Sequence, residues 1–295
     1  MAQPALAAAA TRALPRALLR ALASGTPAAG GAPAVAGFSS NAAGDAAQAP
    51  APAPVRWVFL GPPGVGKGTY ASRVAAQLGV PHIAAGDLVR AEIKSGSALG
   101  REMQAIVNEG RLLPDEVVLR TLRARLAAGR EAGERGFVLD GFPRTRAQAE
   151  ALLASEPVHL ALNMGLREEV LVEKCMGRRL CSKCGKNWNV ADIYLPAQGG
   201  RPEIVMPPLS PPPQCAHLME TRADDNEAVI KRRLQVYRDE ATPVEDFFRA
   251  RGLLADFEIT AGIPETLPRL LAALAPHIAA ARDGAAAAEP RAAHA

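Results

Sequence analysis

This sequence of 295 residues has few aromatic residues and only a small excess of positive charge. Only 4% of the residues are aromatic while 48% are apolar, so the core must be mainly aliphatic. An apolar fraction of this size excludes a wholly disordered chain. The 34 Lys and Arg against 30 Asp and Glu leave a net charge of only +4, which argues against a nucleic-acid-binding protein. It is compatible with an enzyme that gathers arginines around an anionic substrate.

Long apolar runs and widely spread cysteines are missing as well. No unbroken stretch of ~18 apolar residues occurs, so the sequence predicts no membrane span. All four cysteines lie between Cys175 and Cys215, whereas a disulfide scaffold would distribute them along the chain. The sequence therefore predicts free thiols or a local site within one segment.

Residues 1–54 have the composition of a targeting segment followed by a linker. They are rich in alanine, contain Pro and Gly throughout, and carry Arg12, Arg16 and Arg20 in a four-residue repeat. An arginine-bearing, acid-poor N-terminus is typical of organellar transit peptides. The alternative is a disordered tail without a targeting function. The arginine repeat by itself favours a mitochondrion over a plastid. Residues 283–295 are predicted to form a disordered tail.

A glycine-rich loop follows the first apolar run, Val55 to Leu60, and precedes a helical pattern. The loop reads Gly61-Pro62-Pro63-Gly64-Val65-Gly66-Lys67-Gly68-Thr69. Strand, glycine loop and helix in this order are typical of a phosphate-binding loop, because glycines let backbone N–H groups turn onto phosphate oxygens at a helix N-terminus. We expect Lys67 to reach the transferred phosphate and Thr69 to lie near the phosphates or the metal. The strict pattern has Ser or Thr directly after the lysine, whereas here Gly68 intervenes.

Strand and helix patterns alternate along the rest of the chain. Further strands are predicted at 136–140, 158–162 and 254–257, with a short one at 81–83. Helices are predicted at 69–78, 114–129, 146–153, 168–176, 227–249 and 264–281. This alternation indicates an α/β protein with a parallel sheet covered on both faces. Ligands of such sheets bind at the carboxyl ends of the strands, so we expect Lys67 and Asp140 to meet there.

Three further motifs complete a recognisable set. They are Gly86-Asp87-Leu88-Val89-Arg90, Asp140-Gly141-Phe142-Pro143-Arg144-Thr145 and Thr221-Arg222-Ala223-Asp224-Asp225. Asp140, at a strand end beside a phosphate loop, is placed to organise magnesium through water, and Arg144 is placed to clamp a phosphate. With the glycine loop, these motifs resemble the adenylate kinases over residues 55–280, most closely the plant organellar members.

The resemblance implies a fold, an activity and a location. The expected fold is a P-loop NTPase-type parallel β-sheet flanked by helices, with its core at 55–282, a nucleotide-monophosphate-binding insert at 84–113 and a lid insert at 177–224. The expected reaction transfers a phosphoryl group from MgATP to AMP and gives two ADP. ATP, AMP and ADP are then the partners, Mg²⁺ comes bound with ATP, and neither nucleic acid nor a membrane is involved. A monomer in the plastid stroma is favoured, with the mitochondrion as the alternative.

The resemblance also implies roles for individual residues. Catalytic roles fall to Lys67, Asp140, Arg144, Arg178, Arg222 and Arg233. ATP binding falls to Gly64, Val65, Gly66, Lys67, Gly68, Thr69, Arg178, Asn187 and Trp188. AMP binding falls to Ala85, Arg90, Arg111, Leu112, Leu113, Gly141, Phe142, Pro143, Arg144, Gln148, Arg222 and Arg233. Such a set suits phosphoryl transfer, which needs aligned phosphates and cations on the spreading charge more than covalent chemistry.

Two positions depart from the family pattern. Ala85 stands where many members have a Thr that hydrogen-bonds the AMP side, and Lys174 stands where many have an Arg stacked on the ATP adenine. Loss of one such contact weakens discrimination among bases. A nucleoside monophosphate kinase of broader or different base specificity, or one using GTP as donor, is therefore the alternative. A nucleotide-binding sensor without chemistry is disfavoured because all the expected cations are present.

The lid cysteines resemble an incomplete zinc knuckle. Cys181-Ser182-Lys183-Cys184 has the spacing of a first ligand pair, but Cys215 is followed three residues later by Leu218 instead of a second ligand. His217 would complete a Cys₃His set, which zinc accepts. The spacing of this second half is wrong for a knuckle, so we expect a metal-free lid.

The acidic segment at 224–227 predicts a capping box for the helix that follows. Asp224 is expected at the N-cap and Glu227 at the third helical position, with the segment also orienting Arg222. His82 is assigned no role.

Overall fold

A five-stranded parallel sheet forms the centre of the computed structural model, which describes residues 54–282. Its strands run in the order β10, β4, β1, β3, β2. Their bounds are β1 Val55–Leu60, β2 His82–Ala84, β3 Gly136–Asp140, β4 Leu160–Gly165 and β10 Leu254–Glu258. The α/β prediction is confirmed. The predicted transit peptide (apart from its last residue) and the tail at 283–295 lie outside the described residues.

Helices connect these strands and cover both faces of the sheet. The helices outside the 177–224 segment are α1 Lys67–Leu78, α2 Ala85–Lys94, α3 Ala98–Asn108, α4 Asp115–Glu131, α5 Arg146–Ser155, α6 Glu168–Met176, α8 Glu227–Arg249 and α9 Ile263–Arg282. Within residues 54–282, no helix combines the length and the hydropathy needed to cross a bilayer.

Alternation along β1 separates two hydrophobic cores. Trp57 and Phe59 pack with residues of α1 and α9, whereas Val58 and Leu60 pack with residues of α4, α5 and α8. This follows from the strand period of two, which sends successive side chains to opposite faces. A run that is apolar throughout therefore becomes a strand buried on both sides, which holds the following glycine loop on a rigid base.

Most predicted elements are present, with shifts at their ends. The strand predicted at 158–162 begins at Leu160 and continues to Gly165. This strand, β4, pairs with β1 on one side and with β10 on the other. Helices α2 and α3 lie within the 84–113 segment and were not predicted as elements. The side chain of Ser97 accepts a hydrogen bond from Gly100 N at 2.8 Å and so caps α3.

The 177–224 segment contains two separate pieces of β structure. One is a three-stranded antiparallel sheet in the order β6, β5, β9, and the other is the hairpin β7–β8. Their bounds are β5 Arg178–Cys181, β6 Asn187–Asn189, β7 Ile193–Leu195, β8 Ile204–Met206 and β9 Met219–Glu220, with a short helix α7 at Pro213–Ala216.

The hairpin is anchored on the main core. Ile193, Ile204 and Met206 are buried in the same cluster as Trp57. Gly262 N, just before α9, also donates a hydrogen bond to Val205 O at 3.1 Å. The segment that the sequence presents as one insert is therefore divided between a sheet and a core-bound hairpin.

Candidate active site

The glycine loop adopts a conformation that other residues would not allow. Gly61, Gly64 and Gly66 have φ values of +134°, +87° and +102°, a region that L-residues rarely enter. A Cβ at Gly61 would lie 2.4 Å from Met164 O, and a Cβ at Gly64 would lie 2.8 Å from Leu171 O. Gly66 precedes α1 without a side-chain cap. The loop therefore presents backbone N–H groups and the positive end of α1 to one region of space.

Lys67 and Asp140 meet at the carboxyl end of the sheet, as the sequence predicts. Lys67 Nζ donates to Gly61 O at 2.6 Å and to Pro62 O at 2.9 Å. Burial lowers the pKa of Lys67 to about 8, although the charge of Asp140 opposes this shift. Burial by itself would raise the pKa of Asp140, but His82 and Lys67 outweigh it and lower that pKa, which keeps the carboxylate ionised.

The position of Asp140 accounts for the glycine between Lys67 and Thr69. A Cβ at Gly68 would lie 3.0 Å from Asp140 Oδ2, so a Ser or Thr there would crowd the carboxylate. An ionised carboxylate over the start of α1 suits a hydrated Mg²⁺ beside bound phosphates. His82, which the sequence analysis passed over, has Nε2 only 3.5 Å from Asp140 Oδ2. A lone histidine in a three-residue strand carries no sequence signal of this role.

Within the described residues, five arginines form a basic cluster with Lys67. They are Arg90, Arg144, Arg178, Arg222 and Arg233. Burial lowers the pKa of Arg144 to about 10, and the charge of Arg233 adds to the effect. Burial likewise lowers the pKa of Arg222 to about 10, with a further contribution from Arg178. Cations that depress one another's pKa in this way form a region prepared for a polyanion.

Carboxylates hold three of these arginines in place. Arg178 makes a bidentate pair with the fully buried Asp225, with Nε 2.8 Å from Oδ2. Arg233 Nη1 donates to Asp224 Oδ2 at 2.5 Å. Arg90 pairs with Asp87 on its own helix. With Asp140, four carboxylates face six basic side chains, so the cluster keeps two positive charges in excess.

The predicted capping box is wrong. Asn226 caps α8, its side chain accepting from Val229 N at 3.0 Å. Asp224 and Asp225 are occupied by Arg233 and Arg178, which lie 9 and 47 residues away in the sequence. Arg222 bonds neither carboxylate, and its Nη2 donates to Asn187 Oδ1 at 2.7 Å instead. A local pattern does not reveal such distant partners.

A cavity of about 200 Å³ opens beside the cations. Its lining includes the basic side chains of Lys67, Arg90, Arg144 and Arg233 and apolar side chains such as Val89, Val107, Leu113, Val118 and Val244. Basic and apolar side chains in one cavity suit a ligand that has a phosphate and a flat, poorly charged ring.

Most of the expected AMP-binding residues line this cavity. Those that do are Ala85, Arg90, Arg111, Leu112, Leu113, Gly141, Pro143, Arg144, Gln148 and Arg233. Phe142 does not, because it is 1% exposed and buried in the same hydrophobic core as Val58. Arg222 also lies outside the cavity lining.

Asp115, which bonds the cavity-lining Gln148, is a residue that the sequence analysis missed. The amide of the buried Gln148 donates to Asp115 Oδ1 at 2.7 Å and accepts from Arg144 N at 2.7 Å. Thr145 Oγ1 donates to Asp115 Oδ2 at 2.9 Å. Asp115 lies in the first turn of α4, where an acidic residue is unremarkable, so only the fold reveals that it fixes the orientation of Gln148.

Outside the glycine loop, the residues expected to bind ATP lie on the three-stranded sheet, and Lys174 lies beside the hairpin β7–β8. Asn187 bonds Arg222, and Trp188 is half-buried on β6. Among the described residues, Trp188 Nε1 is one of the few buried polar atoms without a hydrogen-bond partner. Burial lowers the pKa of Lys174 to about 8, and its Nζ faces Met206 Sδ at 3.6 Å. Asn189 Nδ2 donates to Lys174 O at 2.7 Å, which ties the sheet to α6.

Three of the four zinc candidates come together. The sulfurs of Cys181, Cys184 and Cys215 all lie within 4.8 Å of one another. Within residues 54–282, neither His217 nor any carboxylate joins this group. Structural zinc sites are closed by four protein ligands. The described residues therefore do not complete a zinc site with four protein ligands.

Comparisons with known proteins agree on one family. A family model described as "Adenylate kinase" matches residues 59–253. "Adenylate kinase 1, chloroplastic" from Arabidopsis thaliana is 54% identical over 75% of this chain and 78% of that protein. "Probable adenylate kinase 6, chloroplastic" from Oryza sativa subsp. japonica is 54% identical over 75% and 77%. "Adenylate kinase" from Thermodesulfovibrio yellowstonii is 39% identical over 75% of this chain and 99% of that protein.

Proposed function

Because the chain belongs to the adenylate kinase family, it transfers a phosphoryl group from ATP to AMP, and we propose which of its residues carry out each part of that reaction. One observation carries the proposal. Residues of the phosphate loop and four of the six basic side chains of the cluster line the same cavity, together with apolar side chains. Two anionic ligands bound from the two sides would therefore meet at Lys67, which lines the cavity and begins α1.

The donor is MgATP, held by the loop from Gly64 to Thr69. Its phosphates accept hydrogen bonds from the loop N–H groups, and Lys67 supplies a positive charge that leaves its two carbonyl partners for the phosphate oxygens. Asp140 orients the hydrated Mg²⁺ that arrives with ATP. We assign Asn187 and Trp188, which lie on β6, to contacts with ATP, and Lys174 to a contact with the adenine base of ATP.

The acceptor is AMP, bound in the cavity. Arg90 and Arg144 clamp its phosphate, because the guanidinium geometry matches phosphate oxygens. The adenine packs against apolar side chains of the cavity lining such as Leu113, and next to Gln148, whose orientation Asp115 fixes. Ala85 offers this pocket no hydroxyl, so base selection rests on the remaining contacts.

Arg178, Arg222 and Arg233 surround the phosphoryl group during transfer. Two of these side chains are already held by Asp225 and Asp224, which reduces the reorganisation required when negative charge spreads over the equatorial oxygens. In-line transfer then needs no covalent intermediate on the protein.

Closure of the two inserts keeps water away from the transferring group. We assign the nucleotide-monophosphate arm to 84–113 and the lid to 177–224, as the sequence analysis does. The hairpin β7–β8 is bonded to the core at Val205 and buried in it. We therefore assign the lid movement to the three-stranded sheet, which carries Arg178, Asn187 and Trp188 and contacts α6 through Asn189.

Adjacent arginines on α8 provide a matched test. Arg233 faces the cluster, whereas its neighbour Arg232 is exposed to solvent. Removal of one preorganised donor lowers kcat by about 10²–10³. We expect that loss for Arg233→Met and a change within about twofold for Arg232→Met, since a lone surface charge contributes little. Equal effects of the two substitutions in a coupled ADP-release assay would contradict the assigned role of Arg233.

The cellular location is proposed from composition and from the names of relatives. Residues 1–54 have the composition of an organellar transit peptide, and two of the relatives are named chloroplastic. We place the protein in the plastid stroma, where it acts as a monomer. Import of a fusion of residues 1–54 to a fluorescent protein tests the location, and accumulation in mitochondria would overturn it. Light scattering on the purified protein tests the monomer.

A further inference from the structure

A group of three thiols lies at one end of the small sheet, and phosphoryl transfer makes no use of it. Cys181 ends β5, Cys184 follows in the turn to β6, and Cys215 lies in α7. Cys181 and Cys215 are buried, whereas Cys184 is exposed. All four cysteines of the chain are reduced, and the remaining one, Cys175, is buried beside the glycine loop.

A structural metal site does not account for this group of three thiols. Zinc in a structural site takes four protein ligands, and only three ligand atoms converge among the described residues. The place of a fourth ligand in a knuckle pattern is taken by Leu218, whose backbone N donates to Cys215 O at 2.9 Å. Three thiols without a completed ligand set remain available for redox chemistry.

Two of the sulfurs are already in contact. Cys184 Sγ lies 3.8 Å from Cys215 Sγ. A disulfide bond is ~2.05 Å long, so the sulfurs must approach one another by about 1.8 Å. The backbones on either side are held together by a hydrogen bond from Ser182 N to Leu218 O at 2.9 Å and by the pairing of Cys181 with Met219. Side-chain rotation is therefore the main movement required.

We propose that Cys184 and Cys215 form a reversible disulfide and make the lid a thiol-modification site. The oxidant is a low-molecular-weight disulfide such as oxidised glutathione. The exposed Cys184 thiolate attacks one glutathione sulfur, which forms a mixed disulfide and releases one glutathione thiol. The Cys215 thiol then loses its proton as its sulfur attacks Cys184 Sγ, and the displaced second glutathione takes up a proton. Two protein thiols and one oxidised glutathione thus give one protein disulfide and two reduced glutathione molecules.

The bridge would close residues 184–215 into a single covalent loop. This loop contains β6, the hairpin β7–β8 and the first residues of α7. A cross-link of this kind restricts the unfolded states of the segment that it encloses. The reduced and oxidised proteins should therefore differ in how readily a protease cuts within the lid, and the oxidised form should be cut more slowly.

The experiment uses the full chain, first reduced and then incubated with oxidised glutathione. Before alkylation, the oxidised protein should have a mass lower by two hydrogen atoms than the reduced protein. After unfolding in the presence of an alkylating reagent, two thiols should be alkylated instead of four. Peptide mapping should join the peptides that contain Cys184 and Cys215. Cys184→Ser and Cys215→Ser should each abolish the bridge, whereas Ser182→Ala, in the same turn, should keep it.

Three results would overturn the proposal. One is four alkylated thiols after oxidation of the folded protein. Another is a bridge that includes Cys181 in place of Cys184. The third is one equivalent of zinc in the freshly purified protein, removable only by a chelator and protective of the thiols, which would make the group a metal site. A circular dichroism spectrum of Cys184→Ser that matches the parent protein establishes that loss of the bridge is not loss of the fold.

Discussion

Lys67→Met should change activity and stability in opposite directions. Lys67 lies at the start of α1, and its Nζ bonds the carbonyls of Gly61 and Pro62. Methionine keeps an unbranched side chain of similar length and a good helix propensity, so the fold should persist. The substitution removes only the positive charge and its hydrogen bonds.

The expected loss of activity follows from the role of the charge. A preorganised group that stabilises the transition state typically contributes about 2.7–4 kcal/mol, which is a factor of about 10²–10³ in kcat. Because Lys67 is the one cation held within the glycine loop itself, we expect a loss at or beyond the upper end of this range. A coupled assay of ADP formation with saturating MgATP and AMP measures it.

The expected gain in stability follows from the pKa. A pKa lowered by burial from 10.5 to about 8 means that charged Lys67 destabilises the folded protein by about 3 kcal/mol at neutral pH. Loss of its two hydrogen bonds offsets part of this, at about 1 kcal/mol each. We therefore expect Lys67→Met to raise the free energy of unfolding by about 1 kcal/mol at neutral pH.

The pH dependence of the free energy of unfolding tests separately whether Lys67→Met stabilises the protein. Between about pH 8 and pH 10.5 the unfolded chain still binds the lysine proton while the folded protein has lost it. Stability of the parent protein contributed by this group therefore rises with pH across that window. The gain in stability of Lys67→Met over the parent protein should be largest below pH 8 and should be lost by about pH 10.5. Urea unfolding at pH 7 and pH 11 measures both limits.

Lys174→Met is the matched control. Burial lowers the pKa of Lys174 to about 8 as well, but its Nζ faces the Met206 sulfur and lies outside the basic cluster. We expect a similar gain in stability, a raised KM for ATP at most, and kcat of the same order as the parent protein. Near-normal turnover of Lys67→Met, or equal loss of kcat in the two variants, would refute the reasoning.

Two further predictions concern the acceptor cavity. Ala85→Thr adds a hydroxyl at the cavity wall and should raise the preference for AMP over GMP in kcat/KM, since a polar contact can favour one base; an unchanged ratio would show that this position does not select the base. Asp115→Ala leaves two donors, Gln148 Nε2 and Thr145 Oγ1, without their acceptor and should raise KM for AMP about tenfold with a smaller change in kcat. Exposed Glu116, changed to Ala, is the control and should leave both constants unchanged.

The sheet and the phosphate loop could be predicted because their signals are local. The apolar run Val55–Leu60, the glycines after it and the helix beginning at Lys67 are contiguous in the sequence. Parallel strands then bring Asp140 to the same edge, because carboxyl ends of parallel strands align. These features required only strand period, glycine conformation and chain order.

The remaining features depend on contacts between distant segments. Asp225 looks like part of a helix cap, but Arg178 occupies it from 47 residues away. Asp115 looks like an ordinary first-turn acid, but it bonds Gln148, 33 residues later. The hairpin β7–β8 reads as part of one insert, yet Gly262 bonds it to the core. No periodicity or propensity identifies such partners, because each is fixed by packing.

The most direct test of the account is an acceptor panel on the purified protein with MgATP as donor. AMP, GMP, CMP and UMP are compared at equal concentrations, and ADP formation is followed by a coupled assay. The account predicts rapid turnover with AMP and rates lower by at least tenfold with the other three, because we assign adenine to the apolar side chains of the cavity lining and Gln148. Comparable rates with all four acceptors would contradict the proposed adenine site.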